Sequence, residues 1–426
     1  MKRKGFAYLD TIACVLVIAA VCMAFTGFWP NQDNPYKSYS LQAMAWLNGR
    51  LDLGQDYPWL ELAVFQERYY VSFPPFPSLV LLPLCLLFGM NTPDHWIMLS
   101  LLCISTLYAQ KLYQLVRPCD EDEKLWVLFL IAGNGLLNIS LQGWVWHMAQ
   151  GMSFALSLMA LYYARAGKGG VSLTCWMAAV GCRPMVAVYL PYFVLLFAKH
   201  EKGLEAGKAR NARRYIRWCI GPILLLMFYM TLNQARFGSP FEFGHNYLPE
   251  FVRAEEGQFS LEYFKKNWAE LFRAPEMDAS SHRLRFYTYD CQAVWAVNPM
   301  LPLAVLAFLW DWVKRKLHLN LENALLIAGV TAHMLIVLCH RTLGGWQFGN
   351  RYIVDILPFV FDGLLTWMPK NFSKLGRIAC CEGIVLNVAG LIRHTTIGFE
   401  KRCRFIVFLY VYLSSIGIGQ IPINMV

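Results

Sequence analysis

The chain has 426 residues, of which 57% are hydrophobic and 15% are charged, and its mean hydropathy is +0.38. Soluble globular domains have an apolar share of about 45–50%, so this composition predicts a membrane protein. It excludes a disordered chain, a collagen-like fibre and a small disulfide-stapled secreted module. The formal net charge of +10 comes from basic residues that cluster between apolar segments. That pattern indicates membrane orientation and no nucleic-acid partner.

The apolar segments predict an all-α, polytopic transmembrane helix bundle. A span needs roughly 20 mostly apolar residues, and about eleven or twelve segments qualify. They cover residues 7–29, 74–89, 95–116, 125–142, 146–164, 171–198, 215–233, 297–313, 322–340, 352–368, 378–392 and 404–419. We expect residues 1–426 to form a single integral membrane domain. The segment 393–426 fits this topology least, because its basic residues would lie outside.

The basic residues also predict how the bundle is oriented. Residues 2–4 are all basic and put the N-terminus in the cytoplasm, and the basic connection 199–217 falls on the same side by parity. The expectation is a multi-pass protein of the inner (cytoplasmic) membrane. Its two large outer loops, 30–73 and 234–296, carry short juxtamembrane helices and the active site on the outer face.

Two of the predicted spans are interrupted. Prolines cross the segment 74–89, and Arg183 and Pro184 break the segment 171–198, where the helix should kink or split. If that break makes two membrane segments instead of one, the sidedness of everything between residues 74 and 183 changes.

The first outer loop contains a carboxylate beside a predicted helix start. Asn34 is a predicted N-cap, Pro35 suits the first helical position, and Gly49 suits the end of a short surface helix. Asp33 would lie next to the positive end of that helix, which favours its ionised form. An ionised carboxylate there can accept a proton; the alternative is an Asp that merely caps or solvates the helix.

The same loop continues with two further acidic candidates. Alternating residues in the segment 63–71 predict a small hairpin, and the prolines after Phe73 return the chain to the membrane in an extended form. Glu61 and Glu67 are candidates for a second carboxylate. The alternative for each is a solvated loop charge.

The second outer loop opens with charged residues interleaved with aromatic ones. Arg236, Glu242 and His245 stand among phenylalanines and tight turns, an arrangement suited to a lipid phosphate or a sugar face. The planar fork of an Arg donates two hydrogen bonds to a phosphate. The alternative is anchoring at the membrane interface.

A last candidate pair lies at the start of the span 352–368. Arg351 lies at its predicted outer end and Asp355 four residues deeper, so the two would share a helix face and pair. A charge inside a span is by default a functional candidate. A purely structural ion pair is the alternative.

Several site classes have no motif in this chain. No C-x-x-C occurs, and most of the 13 cysteines fall in or beside apolar runs, so neither a zinc site nor a disulfide framework is predicted. H-E-x-x-H, G-x-S-x-G and Walker A patterns do not occur in the sequence. We therefore expect no cofactor and no metal.

Taken together, these segments resemble the GT-C class of bacterial polytopic glycosyltransferases, the superfamily of protein O-mannosyltransferases and aminoarabinose transferases. The resemblance covers roughly residues 7–365 and is most specific in the last two of its four motifs. The motifs are Gln-Asp-Asn-Pro-Tyr at 32–36, a Tyr followed by a Pro-Pro return at 70–77, Arg-Phe-Gly-Ser-Pro-Phe-Glu-Phe-Gly within 233–247, and Phe-Gly-Asn-Arg-Tyr with Leu-Pro within 344–358.

The resemblance implies inverting transfer of a sugar from a polyprenyl-phosphate donor to a lipid, glycan or protein acceptor at the outer face. Asp33 would then be the general base, and Arg236 and Arg351 would neutralise the donor phosphate. Asn34 stands where many members carry a second acid, which makes a metal-dependent route doubtful. The residues that would bind sugar or acceptor are Tyr36, Glu67, Tyr70, Glu242, His245 and Tyr352.

Other classes remain open at this point. A polymerase or ligase of lipid-linked oligosaccharides differs chiefly in its donor. A flippase would be expected to show internal repeats, which this sequence lacks. A noncatalytic membrane subunit is the third alternative. If the protein is an enzyme, we expect Asp33, Arg236 and Arg351 to converge on one outer cavity.

Overall fold

A computed structural model describes residues 2–201, 208–278, 283–285, 293–316, 318–345, 348–369 and 373–395. The predicted span 404–419 lies outside the described residues. Within them, helices dominate, as the apolar composition and helical periodicity predict.

The helices follow one another with short connections, apart from the two large loops. In chain order they are α1 (Lys2–Thr26), α2 (Ser38–Leu47), α3 (Phe76–Phe88), α4 (Asp94–Val116), α5 (Glu123–Ala132), α6 (Leu136–Ser140), α7 (Val145–Arg165), α8 (Gly169–Val180), α9 (Leu190–Glu201), α10 (Lys208–Phe237), α11 (Pro249–Val252), α12 (Glu262–Phe272), α13 (Val294–Val297), α14 (Met300–Lys314), α15 (Leu321–Cys339), α16 (Leu357–Trp367) and α17 (Ser373–Thr395).

Short 3₁₀ helices and two hairpins complete the described structure. The 3₁₀ helices are Gly89–Asn91, Pro184–Tyr189, His245–Tyr247 and Arg351–Ile356. The antiparallel hairpins are β1 (Leu62–Phe65) with β2 (Arg68–Val71), and β3 (Glu276–Asp278) with β4 (Arg283–Arg285).

The first loop contains both elements predicted for it. The hairpin pairs Leu62 with Val71, and its turn residues Gln66 and Glu67 have positive φ values of 49° and 60°. The surface helix is α2, but it begins at Ser38, later than predicted. Asn34 does not cap it; its side-chain oxygen accepts a hydrogen bond from the backbone amide of Tyr36 instead (2.9 Å).

Contacts between helix termini define two ends of the bundle. At one end, Asn34 Nδ2 donates hydrogen bonds to Asp94 Oδ2 (2.8 Å) and to the carbonyl oxygen of Gly143 (2.7 Å). We call this the loop end, because both large loops attach to it. At the far end, the Tyr8 hydroxyl donates to Gln114 Oε1 (2.6 Å), so the start of α1 lies beside the end of α4.

The segment 74–89 does not cross the bundle, which corrects the sequence prediction. α3 has 13 residues, and both of its ends meet segments of the loop end. The amide of Phe76 at its start donates to the carbonyl oxygen of Gly181 (3.0 Å), and just past its end Asp94 accepts from Ser40 Oγ (3.2 Å). α3 therefore starts and finishes at the loop end, packed along α2.

The interrupted segment 171–198 forms two membrane segments instead of one. α8 ends at Val180, and after the 3₁₀ helix α9 leads back to the far end, where Lys199 pairs with Glu322 at the start of α15. The segment of α3 makes one crossing fewer than predicted, and the segment 171–198 makes one more. The number of crossings before residue 199 is therefore unchanged. The end of α9 and the start of α10, which flank the middle of the basic connection 199–217, thus lie on the side of the N-terminus, as predicted.

The outer surface of the bundle is apolar, as expected for contact with lipid. Within the described residues, four helices are long and apolar enough to cross a membrane, at Tyr8–Thr26, Arg213–Phe237, Leu321–Cys339 and Lys374–Arg393. On α10, Ile216, Leu224 and Met227 are each more than half exposed. The chain is a multi-pass membrane protein; the side of the membrane that each end faces stays a prediction.

Candidate functional site

A cavity of about 330 Å³ opens at the loop end. Its wall combines the first loop, the start of α7, the break between α8 and α9, the second large loop and the segment that follows α15. These segments are far apart in the sequence and meet because the helices that carry them all reach the loop end. The two outer loops predicted to hold the chemistry therefore share one cavity.

Glu61 supplies a carboxylate to this cavity. It immediately precedes β1, and its Oε2 accepts a hydrogen bond from Trp146 Nε1 (2.8 Å). Glu61 is an exposed residue that water reaches through the cavity, but protein atoms crowd the other sides of its carboxylate, and this partial loss of water raises the pKa of Glu61. The Trp146 hydrogen bond and the charge of Arg351 oppose the rise.

Arg351 is held at the cavity by the turn that precedes it. Asn350 is buried, and its side-chain oxygen accepts from the amide of Tyr352 (2.8 Å), which starts the 3₁₀ helix. The guanidinium of Arg351 lies over the rings of Trp146 (5.8 Å) and Tyr352 (5.4 Å). Gln150 Nε2 donates to the carbonyl oxygen of Arg351 (2.9 Å) and joins this turn to α7. The predicted residues Arg351 and Tyr352 both line the cavity.

Arg183 brings a second guanidinium to the same wall. Its Nε donates to Asp355 Oδ2 (2.8 Å), and its guanidinium lies 5.0 Å from the centre of the Tyr352 ring. Asp355 thus pairs with Arg183 and not, as predicted, with Arg351. The reason is that Arg351–Ile356 is a 3₁₀ helix with about three residues per turn, which places positions four apart on different faces.

Two histidines add neutral polar groups. His245, a predicted site residue, has its Nδ1 3.2 Å from the carbonyl oxygen of Ser72, and His340 has its Nδ1 2.7 Å from that of Thr342. Burial lowers the pKa of each histidine to about 4. Both rings are therefore uncharged at neutral pH and serve as hydrogen-bonding groups, so positive charge at the cavity comes from the arginines.

Asp33, the predicted general base, lies in a different environment. Its side chain is 86% exposed and forms an ion pair with Lys37 (2.9 Å), which lowers the pKa of Asp33. Among the described residues, the lining of the cavity includes Glu61 and not Asp33. No finding tests the catalytic role of Asp33, which stays a prediction.

Arg236, the other predicted phosphate ligand, is enclosed by protein. It is 2% exposed and donates to the carbonyl oxygen of Val71 (3.1 Å) and to Asn233 Oδ1 (2.9 Å). The first of these bonds ties the end of α10 to β2, and the second lies within α10. Tyr70 packs on Phe237 beside it (5.2 Å between ring centres). Neither Arg236 nor Tyr70 belongs to the cavity lining within the described chain.

The remaining predicted site residues are not part of the described cavity lining. Tyr36 packs against Trp146 (5.1 Å between ring centres), so it supports the hydrogen-bond donor to Glu61. Glu67 is exposed at the hairpin turn. Glu242 accepts hydrogen bonds from the Gly244 amide (2.6 Å) and other groups of its own turn. Their substrate roles stay predictions.

Sequence reasoning named Glu61 as one of two candidates for a second carboxylate and noted Arg183 only as an interruption of a span. The usable signal for Arg183 was a charge beside a proline inside an apolar segment. For Glu61, Trp146 and Glu250, no local pattern exists, because their grouping depends on contacts between distant segments. In the described residues, His, Cys, Asp and Glu form no cluster of three or more that could hold a metal ion.

Comparison with known proteins finds similarity to solved structures. No protein-family model matches the chain, and no curated protein matches it. The apo oligosaccharyltransferase of Archaeoglobus fulgidus matches with a TM-score of 0.54 and 10% identity, over 97% of this chain and 60% of that one. ArnT from Cupriavidus metallidurans bound to undecaprenyl phosphate matches with a TM-score of 0.46 and 12% identity, over 92% and 74% of the two chains.

The likeness to the oligosaccharyltransferase establishes the fold and nothing finer, since fold alone does not determine activity. The chain spans 60% of the length of that protein. The GT-C type of membrane fold expected from the sequence motifs is confirmed, as is the all-α polytopic bundle.

Proposed function

We propose that the chain is an integral membrane glycosyltransferase that moves a sugar from a polyprenyl-phosphate donor to a lipid or glycan acceptor, with inversion at the sugar. A protein acceptor is the third possibility. The reaction takes place at the loop end, which we assign to the outer face of the inner membrane. The fold shared with an oligosaccharyltransferase supports a transferase of this general kind.

One observation carries the proposal: the cavity combines a carboxylate with two guanidinium groups. Glu61 lies on the side of the first loop, and Arg183 and Arg351 flank Tyr352 on the other. Transfer from a sugar phosphate needs a base for the acceptor hydroxyl and positive charge for the departing phosphate. Both requirements are met in one cavity whose wall also offers aromatic rings for a sugar face.

The proposed step uses these groups in a single displacement. The carboxylate takes the proton of the acceptor hydroxyl, whose oxygen forms a bond to carbon one of the sugar. The bond from that carbon to the phosphate oxygen breaks, and its electron pair leaves with the phosphate. Arg183 and Arg351 stabilise the negative charge that develops there. Attack opposite to the leaving group inverts the configuration.

We assign the base to Glu61, and the sequence-based candidate Asp33 is its rival. A base is more effective when its pKa is raised toward the working pH, and the crowding around Glu61 acts in that direction. The Lys37 ion pair acts in the opposite direction on Asp33. Both residues belong to the first loop, so variants at the two positions control for each other.

The decisive experiment is a transfer assay in reconstituted vesicles with a panel of radiolabelled polyprenyl-phosphate sugars. Wild type, Glu61→Gln and Asp33→Asn are compared at equal amounts of folded protein, and label is followed into lipid and polymer fractions. Transfer by wild type that is lost in Glu61→Gln and kept in Asp33→Asn supports the full proposal. Loss in Asp33→Asn alone moves the base to Asp33 and leaves the enzyme class intact.

Absence of transfer by folded wild type with every donor would refute the proposed activity. Lipid-linked oligosaccharides are then offered as donors, which tests a polymerase or ligase. Movement of a labelled donor across the vesicle membrane without transfer would identify a flippase. A protein inactive in all three assays would be a noncatalytic subunit.

A further inference from the structure

Helix α12 in the second large loop has three distinct faces. Asn267 and Leu271, four residues apart, are buried against the rest of the protein. Glu262, Lys266 and Glu270 recur at the same spacing and form a polar face. The third face is apolar and uncovered. A helix that merely closes a loop over a protein core needs only the first two faces.

The uncovered face is an aromatic ridge, which we define as Leu261, Trp268 and Phe272 together with Phe264, which is half-buried and packs against the protein core at the edge of the ridge. Leu261 is 83% exposed, Trp268 49% and Phe272 38%. The ring of Trp268 stacks on Phe264 (5.9 Å between centres) and contacts Phe272 (4.4 Å). Exposed rings in a continuous row are costly in water, and Trp is the residue that favours the membrane-water boundary.

The contacts of α12 with the end of α15 indicate its depth relative to the membrane. Asn267 Nδ2 donates to the carbonyl oxygens of Leu338 (2.9 Å) and His340 (2.6 Å), at the last turn of α15. α15 has 19 residues and is apolar enough to span the membrane. At about 1.5 Å per residue it is as long as the hydrocarbon layer is thick, about 30 Å. A helix fixed to its end lies at the boundary.

Hydrogen bonds in the same region, at the end of α15, connect α12 to the cavity. Just before α12, the Ser260 amide donates to the carbonyl oxygen of Cys339 (2.9 Å), and the Arg341 amide donates to that of Gln258 (2.9 Å). Between them, the rings of Phe259 and His340, which both line the cavity, lie 5.1 Å apart. The helix and this part of the cavity wall therefore form one hydrogen-bonded unit.

We propose that α12 is a membrane-interface helix: its aromatic ridge inserts among the lipid headgroups and holds the Phe259–His340 wall of the cavity at the depth of the lipid phosphates. The partner is the headgroup layer of the bilayer that surrounds the protein. A consequence that rests on the proposed function is that the cavity receives the donor phosphate from the bilayer and not from water.

Site-specific photolabelling tests the contact with lipid and does not depend on activity. Trp268→p-benzoylphenylalanine puts the probe on the ridge, and Lys266→p-benzoylphenylalanine puts it on the polar face of the same helix. Each purified protein is irradiated in vesicles of radiolabelled phosphatidylcholine. We expect several-fold more label at position 268 than at 266. Equal labelling, or none at 268, overturns the proposal; if the first variant does not fold, Phe272→p-benzoylphenylalanine replaces it.

A kinetic comparison tests the consequence for the donor. Trp268→Glu places a charge on the ridge, and Lys266→Glu places the same charge on the polar face. We expect the first to raise the KM for the lipid-linked donor several-fold with little change in kcat, and the second to change neither. An unchanged KM in Trp268→Glu refutes the consequence. If wild type transfers no sugar, the proposed function fails while photolabelling still decides the role of α12.

Discussion

Each of the two ends of the bundle contains an ion pair between an Arg and an Asp. The two pairs differ in how many of their hydrogen-bonding groups have a partner. At the far end, Asp362 accepts from Arg165 Nε (2.5 Å), from Arg165 Nη2 (2.7 Å) and from the Tyr192 hydroxyl (2.5 Å), and Arg165 also contacts Glu322 (3.2 Å). At the loop end, Arg183 bonds Asp355 through Nε alone, and its Nη2 has no hydrogen-bond partner in the described part of the chain.

This difference in hydrogen bonding distinguishes a cluster that stabilises the fold from a site that can bind a ligand. A buried charge is stable when all of its hydrogen-bonding groups are satisfied by the protein, as they nearly are around Asp362. The guanidinium of Arg183 is not saturated by the described protein groups, and its side chain, 18% exposed, lines a cavity from which a ligand oxygen can approach it. The far-end cluster joins α7, α9, α15 and α16; α7 carries cavity residues, and each of the other three helices is next in sequence to a segment that lines the cavity. We therefore interpret the far end as the support that fixes the helices and the loop end as the part that acts.

Removing the cavity carboxylate is the strongest test of this division. We expect Glu61→Gln to lower kcat by a factor of about 10² to 10⁴, the usual contribution of a general base, with little change in thermal stability. The reason is that the amide keeps the volume and still accepts from Trp146. Turnover in vesicles and thermal unfolding in detergent measure the two effects. A variant that keeps wild-type turnover, or loses it by unfolding, contradicts the assignment.

Breaking the far-end cluster should produce the opposite result. Asp362→Asn leaves Arg165 short of a countercharge, and we expect a loss of about 3 kcal/mol in stability, with kcat per folded molecule close to wild type. Lys199→Ala is the matched control, because the Lys199 side chain is 49% exposed and surface pairs contribute about 0–1 kcal/mol. Denaturant unfolding with an activity assay on the folded fraction measures both. Equal losses in the two variants would show that burial does not distinguish the cluster.

Conservative changes of the two arginines compare the ends directly. Arg183→Lys keeps a charge near Asp355 but removes the planar fork that faces the cavity. A hydrogen bond to a charged group contributes about 1.5–3 kcal/mol, so the donor KM should rise about tenfold or more. Arg165→Lys should lower stability and leave the donor KM unchanged. Arg351→Lys is expected to weaken donor use more than acceptor use. A donor KM that is insensitive to Arg183→Lys removes that residue from the site.

The sequence predicts the membrane class, the helical architecture and the first-loop hairpin, because hydropathy and residue alternation are local signals. Of the predicted site residues, Arg351, His245 and Tyr352 line the cavity, and their roles stay predictions. It does not predict that α3 stays at the loop end, since length and composition alone cannot distinguish a short packed helix from a span. Nor does it group Glu61 with Arg183, because that grouping arises only when the break after α8 meets the first loop.

The pH dependence of transfer gives a smaller effect that distinguishes the two candidate bases. A carboxylate base must be ionised, so kcat/KM falls as the pH drops through its pKa. Because the pKa of Glu61 is raised, its acidic limb should lie above the ordinary value of 4.5 for a Glu side chain. Because the pKa of Asp33 is lowered, a limb due to Asp33 should lie below the ordinary Asp value of 3.8. The profile of kcat/KM in vesicles, measured for wild type and Lys37→Met, separates them: removal of Lys37 should shift a limb due to Asp33 upward and leave one due to Glu61 in place.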